Sequence, residues 1–433
     1  MAGVPNDVYP QPHLDWHGAR AEAFHEMQKI CASNQPLPEI MRACAHCLDQ
    51  EVARTAPPRL AEQARASASA LLSAAAGDYS RVAAQFTDTV AATPTRGDEE
   101  RIFALLIKDI DERKGPYPLV AHARLDVRAR AAQLVLRDRG FVQAIARRLG
   151  VEGFPEAVLQ SRVQGVQVLA SAGHLRYAIF GDFVHGLNSS TTETDGGLLL
   201  SVLASDFLNR DLPVVDRVFP TLKPRLEALG ALDLEALNFL FTIFLVLHDT
   251  LGHTVPYSVH HRVKGQAGCH LVDPIEEFGA DSQFLWIATS KVTQPFLRSV
   301  LTAAEYEALP LAWLIKRICH YPLRAAGPNC APDAIVMDPD ARMAICLWNF
   351  CSAHGLIERE GAAFHIREDR FAPVFEVLLD EWLAVEQTIA RGAEAYAGAL
   401  SSFYARFGSI DPTGRWTLPG ELAALVSGPA LAS

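Results

Sequence analysis

The chain has 433 residues, 49% of them hydrophobic, and its 39 Lys and Arg against 50 Asp and Glu give a formal net charge of -11. A chain of this length and apolar content can bury a large core and is long enough for two lobes, which excludes a disordered protein. The excess of acidic residues argues against a general attraction to phosphate backbones, so we expect no nucleic-acid partner.

The first residues lack the basic and then apolar pattern of a secretory signal, which favours a cytoplasmic protein with reduced cysteines. The most apolar run, from Leu234 to Leu247, is interrupted by Glu235 and Asn238 and is too short to span a bilayer. This run therefore predicts a buried helix, and we expect no membrane span.

The cysteines offer one local motif, the Cys-x-x-Cys pair of Cys44 and Cys47. With Cys31 and His46 nearby, the pair is a candidate for a structural zinc, but the chain has no second such pair to complete a site of the usual spacing. The simpler interpretation is one turn of a helix.

Most of the chain has the pattern of helices. Residues 17–95 are rich in alanine and helix formers interrupted by prolines, and Glu99–Gly150 carries apolar residues at three- and four-residue spacing. Phe371–Phe407 is again periodic. We therefore predict a mainly α, two-lobed protein, with a helical N-terminal lobe over residues 1–212 and a helical metal-binding lobe over 213–433. A ligand is expected in the cleft between the lobes.

Two histidines and an aspartate, His248, Asp249 and His253, lie at the end of the buried apolar run. Burying imidazoles costs free energy unless they are paired, and one metal ion satisfies both. Residues five apart on an ideal helix lie about 140° apart, so these histidines would not share a face. A π-bulge within Asp249 to Gly252 would restore the alignment, and glycine tolerates such a distortion.

A third metal ligand is expected from a returning helix with Pro274 near its start. Glu277 and Asp281 lie four residues apart and share a face, so Glu277 can bind the metal while Asp281 accepts the second nitrogen proton of a ligand histidine. Glu276 faces another direction, where we expect it to contact substrate. Without a metal, the histidines would instead complete hydrogen-bond networks, and the acidic cluster would be a solvated helix start.

At this point the sequence resembles the dipeptidyl peptidase III family of zinc metallopeptidases. The family carries a His-Glu-x-x-Gly-His helix, a second helix with Glu-Glu-x-x-Ala-Glu, and an Ala-Arg pair further on. Here the matching stretches are His248-Asp249-Thr250-Leu251-Gly252-His253, Glu276-Glu277-Phe278-Gly279-Ala280-Asp281 and Ala341-Arg342. The resemblance covers about the last half of the chain, and the N-terminal half shows nothing of the family's β-barrel lobe.

The resemblance implies one zinc ion held by His248, His253 and Glu277, a catalytic acid/base at Asp249 and substrate contact by Arg342. The sequence departs from the family in three ways. Position 249 is Asp and not Glu, Asp338 stands where the family has a substrate-binding histidine, and the connection from His253 to Glu277 is shorter.

Three functions are compatible with this pattern. The first is a zinc hydrolase that acts on an amide or peptide-like small substrate, with Asp249 and Glu276 as candidate catalytic residues and Arg342 on a substrate carboxylate.

The second is an Fe(II) oxygenase, because two histidines and a carboxylate also form a facial triad. The His248–His253 stretch followed by Pro256, and Glu277-Phe278-Gly279, are similar to the aromatic amino acid hydroxylases. The third is a non-catalytic scaffold stabilised by its metal, although a structural zinc usually has four protein ligands.

Overall fold

The computed structural model describes most of the chain. The described residues are 19–92, 100–108, 116–136, 138–150, 162–173, 178–181, 184–187, 196–252, 266, 269–320, 339–361, 363–413 and 415–420. The predicted ligand His253 and the substituted position Asp338 lie outside them.

Helices account for most of the described residues, which confirms the mainly α class. The α-helices are α1 Ala19–Cys31, α2 Leu37–Cys47, α3 Ala53–Thr55, α4 Pro58–Ala75, α5 Ser80–Ala91, α6 Val127–Leu136, α7 Arg139–Leu149, α8 Val202–Asp206, α9 Leu212–Val218, α10 Leu222–Ala228, α11 Leu234–Leu245, α12 Cys269–Thr289, α13 Gln294–Leu297, α14 Ala303–Ile315, α15 Pro339–Ala353, α16 Phe371–Glu386 and α17 Ala393–Phe407. Four π turns, Leu48–Val52, Phe207–Asp211, Val246–Gly252 and Lys316–His320, extend helices of the described chain.

The strands are β1 Glu100–Ile107, β2 Tyr117–Leu125, β3 Arg162–Gly173, β4 Ala178–Phe180, β5 Gly196–Leu200, β6 Ile357–Glu360 and β7 Ala363–Ile366. The first five form one sheet in the order β1-β2-β3-β5-β4, and β6 and β7 form a hairpin. Within the larger sheet, β3 and β5 are parallel, while the other neighbouring strands are antiparallel.

The contacts divide the chain into two units. One comprises Met1–Gln133 with Gln160–Asp206, and the other comprises Leu134–Leu159 with Phe207–Ser433. The long segment of the second unit begins at Phe207, and this unit also includes α7.

The first unit corrects the prediction of helix over residues 99–150, because this segment contains strands β1 and β2 before its helices. Strand β1 is buried on both faces. Ile102, Ala104 and Leu106 pack into a core with α1, α2 and α4, while Phe103 and Leu105 pack into a second core on the opposite face. A strand covered on both sides has a continuous apolar run without period-2 alternation, and its spacing also fits a helix.

The second unit contains the helices that position the predicted site. Helix α11 begins at the N-cap Asp233, whose side chain accepts hydrogen bonds from the amides of Glu235 and Ala236, and Leu237–Leu245 is buried, as the apolar run predicts. Helix α12 begins at Cys269, so Pro274 lies inside the helix and not at its start. None of the described helices combines the length and apolarity needed to cross a bilayer.

The last predicted helical segment, Phe371–Phe407, is confirmed as α16 and α17. The two helices are separated by a 3-10 turn, Gln387–Arg391, and by Gly392 at a φ of 99°. A positive φ favours glycine, so this residue allows the chain to change direction between the helices.

Candidate metal centre

The predicted π-bulge is confirmed. A π turn continues α11 from Val246 to Gly252 and contains both His248 and Asp249. A π turn has i→i+5 hydrogen bonds and so places more residues in a turn than an α-helix, which brings residues five apart toward a common face. The local backbone of His248 therefore has the distortion that the His248–His253 spacing requires.

His248 lies against two carboxylates of α12, one on each ring nitrogen. Its Nε2 is 3.2 Å from Glu277 Oε2, and its Nδ1 is 3.1 Å from Asp281 Oδ1. The imidazole side chain is only 5% exposed, and the ring of Phe244 packs against it. The structure thus brings together His248, Glu277 and Asp281, which were predicted as ligand, ligand and supporting carboxylate.

The distance between the two proposed ligand atoms fits a shared metal ion. Ligands at about 2.0–2.1 Å from a tetrahedral zinc are separated by about 3.3 Å, close to the 3.2 Å between His248 Nε2 and Glu277 Oε2. The contact of Nδ1 with Asp281 matches the carboxylate that commonly orients a metal-bound imidazole. The described residues alone contain no group of three His, Cys, Asp or Glu side chains that could hold an ion.

The electrostatics of this site favour a cation. Burial lowers the pKa of His248, but the contacts with Asp281 and Glu277 and the charge of Asp249 outweigh it and raise the pKa to about 10. The carboxylates around His248 therefore stabilise positive charge at a buried position, where positive charge is otherwise costly.

Asp281 is fully buried, accepts hydrogen bonds from Trp313 and Arg317, and lies beside the ring of His248. Trp313 Nε1 donates to Oδ1 at 3.0 Å, Arg317 Nε donates to Oδ2 at 2.6 Å, and His248 Nδ1 lies 3.1 Å from Oδ1. A buried carboxylate with charged and neutral donors on both oxygens has its desolvation compensated. Asp281 is therefore held in one orientation facing His248.

Arg317, which the sequence analysis missed, connects the carboxylates of the site. It is 2% exposed, and besides Asp281 it donates to Asp340 Oδ1 at 2.9 Å and to Glu277 Oε2 at 3.1 Å. The planar guanidinium presents several donors in a fixed geometry, so one arginine can fix three carboxylates. Arg317 follows the buried apolar helix α14, just as His248 follows α11, and that position is the signal from which it could have been found.

The remaining predicted residues lie around this cluster. Asp249 is partly exposed beside His248, whose pKa its charge helps to raise. Glu276 lies near Tyr396. Burial raises the pKa of that phenol, and the charge of Glu276 is among the neighbouring charges that raise it further.

Arg342 lies on α15 and is 6% exposed. Burial raises the pKa of both Cys346 and Tyr404, and the positive charge of Arg342 acts against this in both cases. The guanidinium therefore lies near these two side chains. Its predicted contact with a substrate carboxylate stays a prediction.

Gly252, at the end of the π turn, allows the turn to approach α12 closely. A Cβ at this position would lie 2.8 Å from both Cα and Cβ of Ala280, and the Gly252 carbonyl accepts a hydrogen bond from Gln283 Nε2 at 3.0 Å. Real side chains do not make such a contact without displacing backbone. Gly252 therefore fixes the spacing between the helix that carries His248 and the helix that carries Glu277.

We expect Gly252→Ala to lower the free energy of unfolding by about 1–3 kcal/mol, because the new methyl overpacks a backbone contact. The measurement is chemical denaturation of the purified variant. Gly398→Ala is the matched control, since Gly398 is a helical glycine with open space around its Cβ position. It should gain roughly 0.5–1 kcal/mol. An equal change in the free energy of unfolding of the two variants would contradict the close approach of Gly252 to Ala280.

The fold and the site together define a mainly α protein in which a histidine on a π turn, His248, faces the carboxylates of Glu277 and Asp281 on α12. No protein-family profile matches this chain, and no curated protein matches its sequence. Among solved structures, the fold is similar to dipeptidyl peptidase III from Caldithrix abyssi, with a TM-score of 0.56 and 13% identity over 90% of this chain and 70% of that chain. It is also similar to dipeptidyl-peptidase III from Corallococcus sp. strain EGB, with a TM-score of 0.50 and 11% identity over 90% and 67%. The chain therefore has a fold like that of dipeptidyl peptidase III.

Proposed function

We propose that this chain is a metal-dependent hydrolase, with zinc as the metal, that cleaves an amide bond of a short peptide or peptide-like substrate. The observation that carries the proposal is the approach of His248 Nε2 to Glu277 Oε2 at 3.2 Å, with Asp281 supporting the imidazole. The likeness in fold to two solved dipeptidyl peptidase III structures supports the same class of reaction.

The residues have distinct roles in this proposal. The metal would be held by His248, Glu277 and His253, and when bound it would lower the pKa of its water and polarise the substrate carbonyl. Asp249 takes the proton from the attacking water and later delivers it to the leaving amine. Asp281 accepts the Nδ1 proton of His248 and so presents Nε2 as the ligand atom.

Two further residues are assigned to substrate. Glu276 lies next to Glu277 on α12 but faces another direction, and we assign it to a contact with the substrate amine. Arg342 is assigned to a substrate carboxylate, because guanidinium and carboxylate form paired hydrogen bonds. A peptide with a free N-terminal amine and a free C-terminal carboxylate can contact both Glu276 and Arg342. Because the two fold neighbours are named dipeptidyl peptidases, release of an N-terminal dipeptide is the first reaction to test.

An iron oxygenase is the second candidate, since the same three ligands can hold Fe(II). The fold likeness to peptidases favours the hydrolase. The identity of the metal separates the two candidates, because zinc has no redox chemistry, whereas an oxygenase consumes dioxygen.

The test is metal analysis of protein purified without added metal, followed by incubation with a mixture of short peptides and mass spectrometry of the products. We expect about one zinc per chain, by analogy with single catalytic zinc sites, and metal-dependent cleavage that a chelator removes. His248→Ala should lose both metal and cleavage. His365→Ala is the matched control, because His365 is a partly exposed residue of the β6–β7 hairpin paired with Glu360, and it should keep both.

Iron with oxygen consumption and no cleavage would support the oxygenase and reject the hydrolase. A protein that binds zinc stoichiometrically but cleaves none of the peptides, even at high enzyme concentration, would instead support a metal-stabilised scaffold.

A further inference from the structure

A pair of thiols lies in the first unit, separate from the residues of the proposed site in the second unit. Cys31 is the last residue of α1, and Cys44 lies in the last turn of α2. Their sulfur atoms are 3.6 Å apart. Two sulfurs in a disulfide are about 2.05 Å apart, so a movement of about 1.5 Å would join them.

The two thiols differ in their access to solvent. Cys31 is partly exposed, whereas Cys44 is fully buried. The contact with Cys31 and burial both raise the pKa of Cys44, which keeps that thiol protonated. Cys31 is therefore the thiol that a reagent from solvent can reach, and Cys44 is the neighbour that can resolve the product.

The structure does not support the alternative of a structural zinc at the Cys-x-x-Cys pair. His46, the fourth ligand considered for such a site, lies on the exposed face of α2, while Cys44 and Cys47 lie on the buried face. The described residues, which include Cys31, Cys44, His46 and Cys47, contain no group of three His, Cys, Asp or Glu side chains placed to hold an ion. The arrangement suits a thiol pair better than a metal site.

We propose that Cys31 and Cys44 form a peroxide-sensitive dithiol that oxidises to a disulfide joining α1 to α2. The Cys31 thiolate attacks one peroxide oxygen, the O–O bond breaks, and hydroxide leaves and takes up a proton to form water. Cys31 is then a sulfenic acid. The Cys44 sulfur attacks the sulfur of Cys31, the S–O bond breaks, and the Cys44 proton leaves with the hydroxyl as a second water. In total two thiols and one hydrogen peroxide give one disulfide and two waters.

The sequence makes the product easy to identify. Trypsin cleaves after Lys29, Arg42 and Arg54, so Cys31 lies in the peptide of residues 30–42 and Cys44 in the peptide of residues 43–54. The native full chain is treated with hydrogen peroxide, the remaining thiols are alkylated under denaturing conditions, and the digest is analysed by mass spectrometry. We expect the two peptides to be joined, with fragmentation assigning the bond to Cys44 and not to Cys47.

Three variants make the test specific. Cys47→Ser should form the same cross-link as the native protein, and Cys44→Ser should leave Cys31 as an unresolved sulfenic or sulfinic acid. Cys31→Ser should leave the other peptide unmodified. The oxidised native protein should also have a higher Tm than the reduced protein, because the bond constrains the unfolded chain. Peptides that remain reduced, or a Cys31–Cys47 bond in the native protein, would overturn the proposal.

Discussion

Asp249→Asn is expected to reduce peptide cleavage by about 10²–10⁴-fold, the usual contribution of a general base, while the bound metal stays near the native amount. The amide has nearly the shape of the carboxylate but cannot take a proton from water. Asp249 is a partly exposed residue of the π turn and lies next to His248, the proposed metal ligand. The measurement is kcat/KM on the best peptide substrate together with metal content.

Asp249→Glu is the matched control for this prediction. It introduces the longer glutamate side chain found at the matching position of the dipeptidyl peptidase III family, and it keeps the chemistry of a carboxylate base. We expect this variant to retain cleavage. Full activity in Asp249→Asn would show that another group serves as the base, whereas loss of metal from that variant would place Asp249 among the groups that hold the ion.

Arg317→Met is expected to have the largest effect on stability, a loss of about 3–5 kcal/mol in the free energy of unfolding. The substitution keeps an unbranched side chain of similar length but removes the partner of three carboxylates, Asp281, Glu277 and Asp340. Asp281 is fully buried, so its charge would remain without its strongest donor. Denaturant unfolding of the metal-free protein measures the loss.

Arg406→Met is the control for this prediction. Arg406 makes two hydrogen bonds to Glu381, but the arginine side chain is 54% exposed, so its ion pair should contribute no more than about 1 kcal/mol. If both variants lose the same free energy, the buried network does not stabilise the site as its geometry implies.

The helices were predictable where a single segment determines its own structure. The apolar run from Leu234 to Leu247 indicates a buried helix, and α11 is one. Strand β1 could not be recognised in the same way. Its two faces enter different cores, and this burial depends on helices that are distant in sequence.

The same distinction applies to the site. The contact of His248 with Glu277 and Asp281 followed from spacing, because the two acids share one face of one helix and a π turn changes the direction of the histidine. The partners Arg317 and Asp340 come from the π turn after α14 and from α15, and no spacing rule connects elements that meet only in the folded chain.

In the proposed site, the imidazole of His248 and the carboxylate of Glu277 bind the same metal ion. Anomalous diffraction from crystals of protein purified without added metal, measured on both sides of the zinc absorption edge, tests this directly. We predict one strong peak within bonding distance of His248 Nε2 and Glu277 Oε2. The proposal would be contradicted if the map showed no peak there, even in crystals soaked with zinc, and if His248 and Glu277 were instead hydrogen-bonded directly to each other.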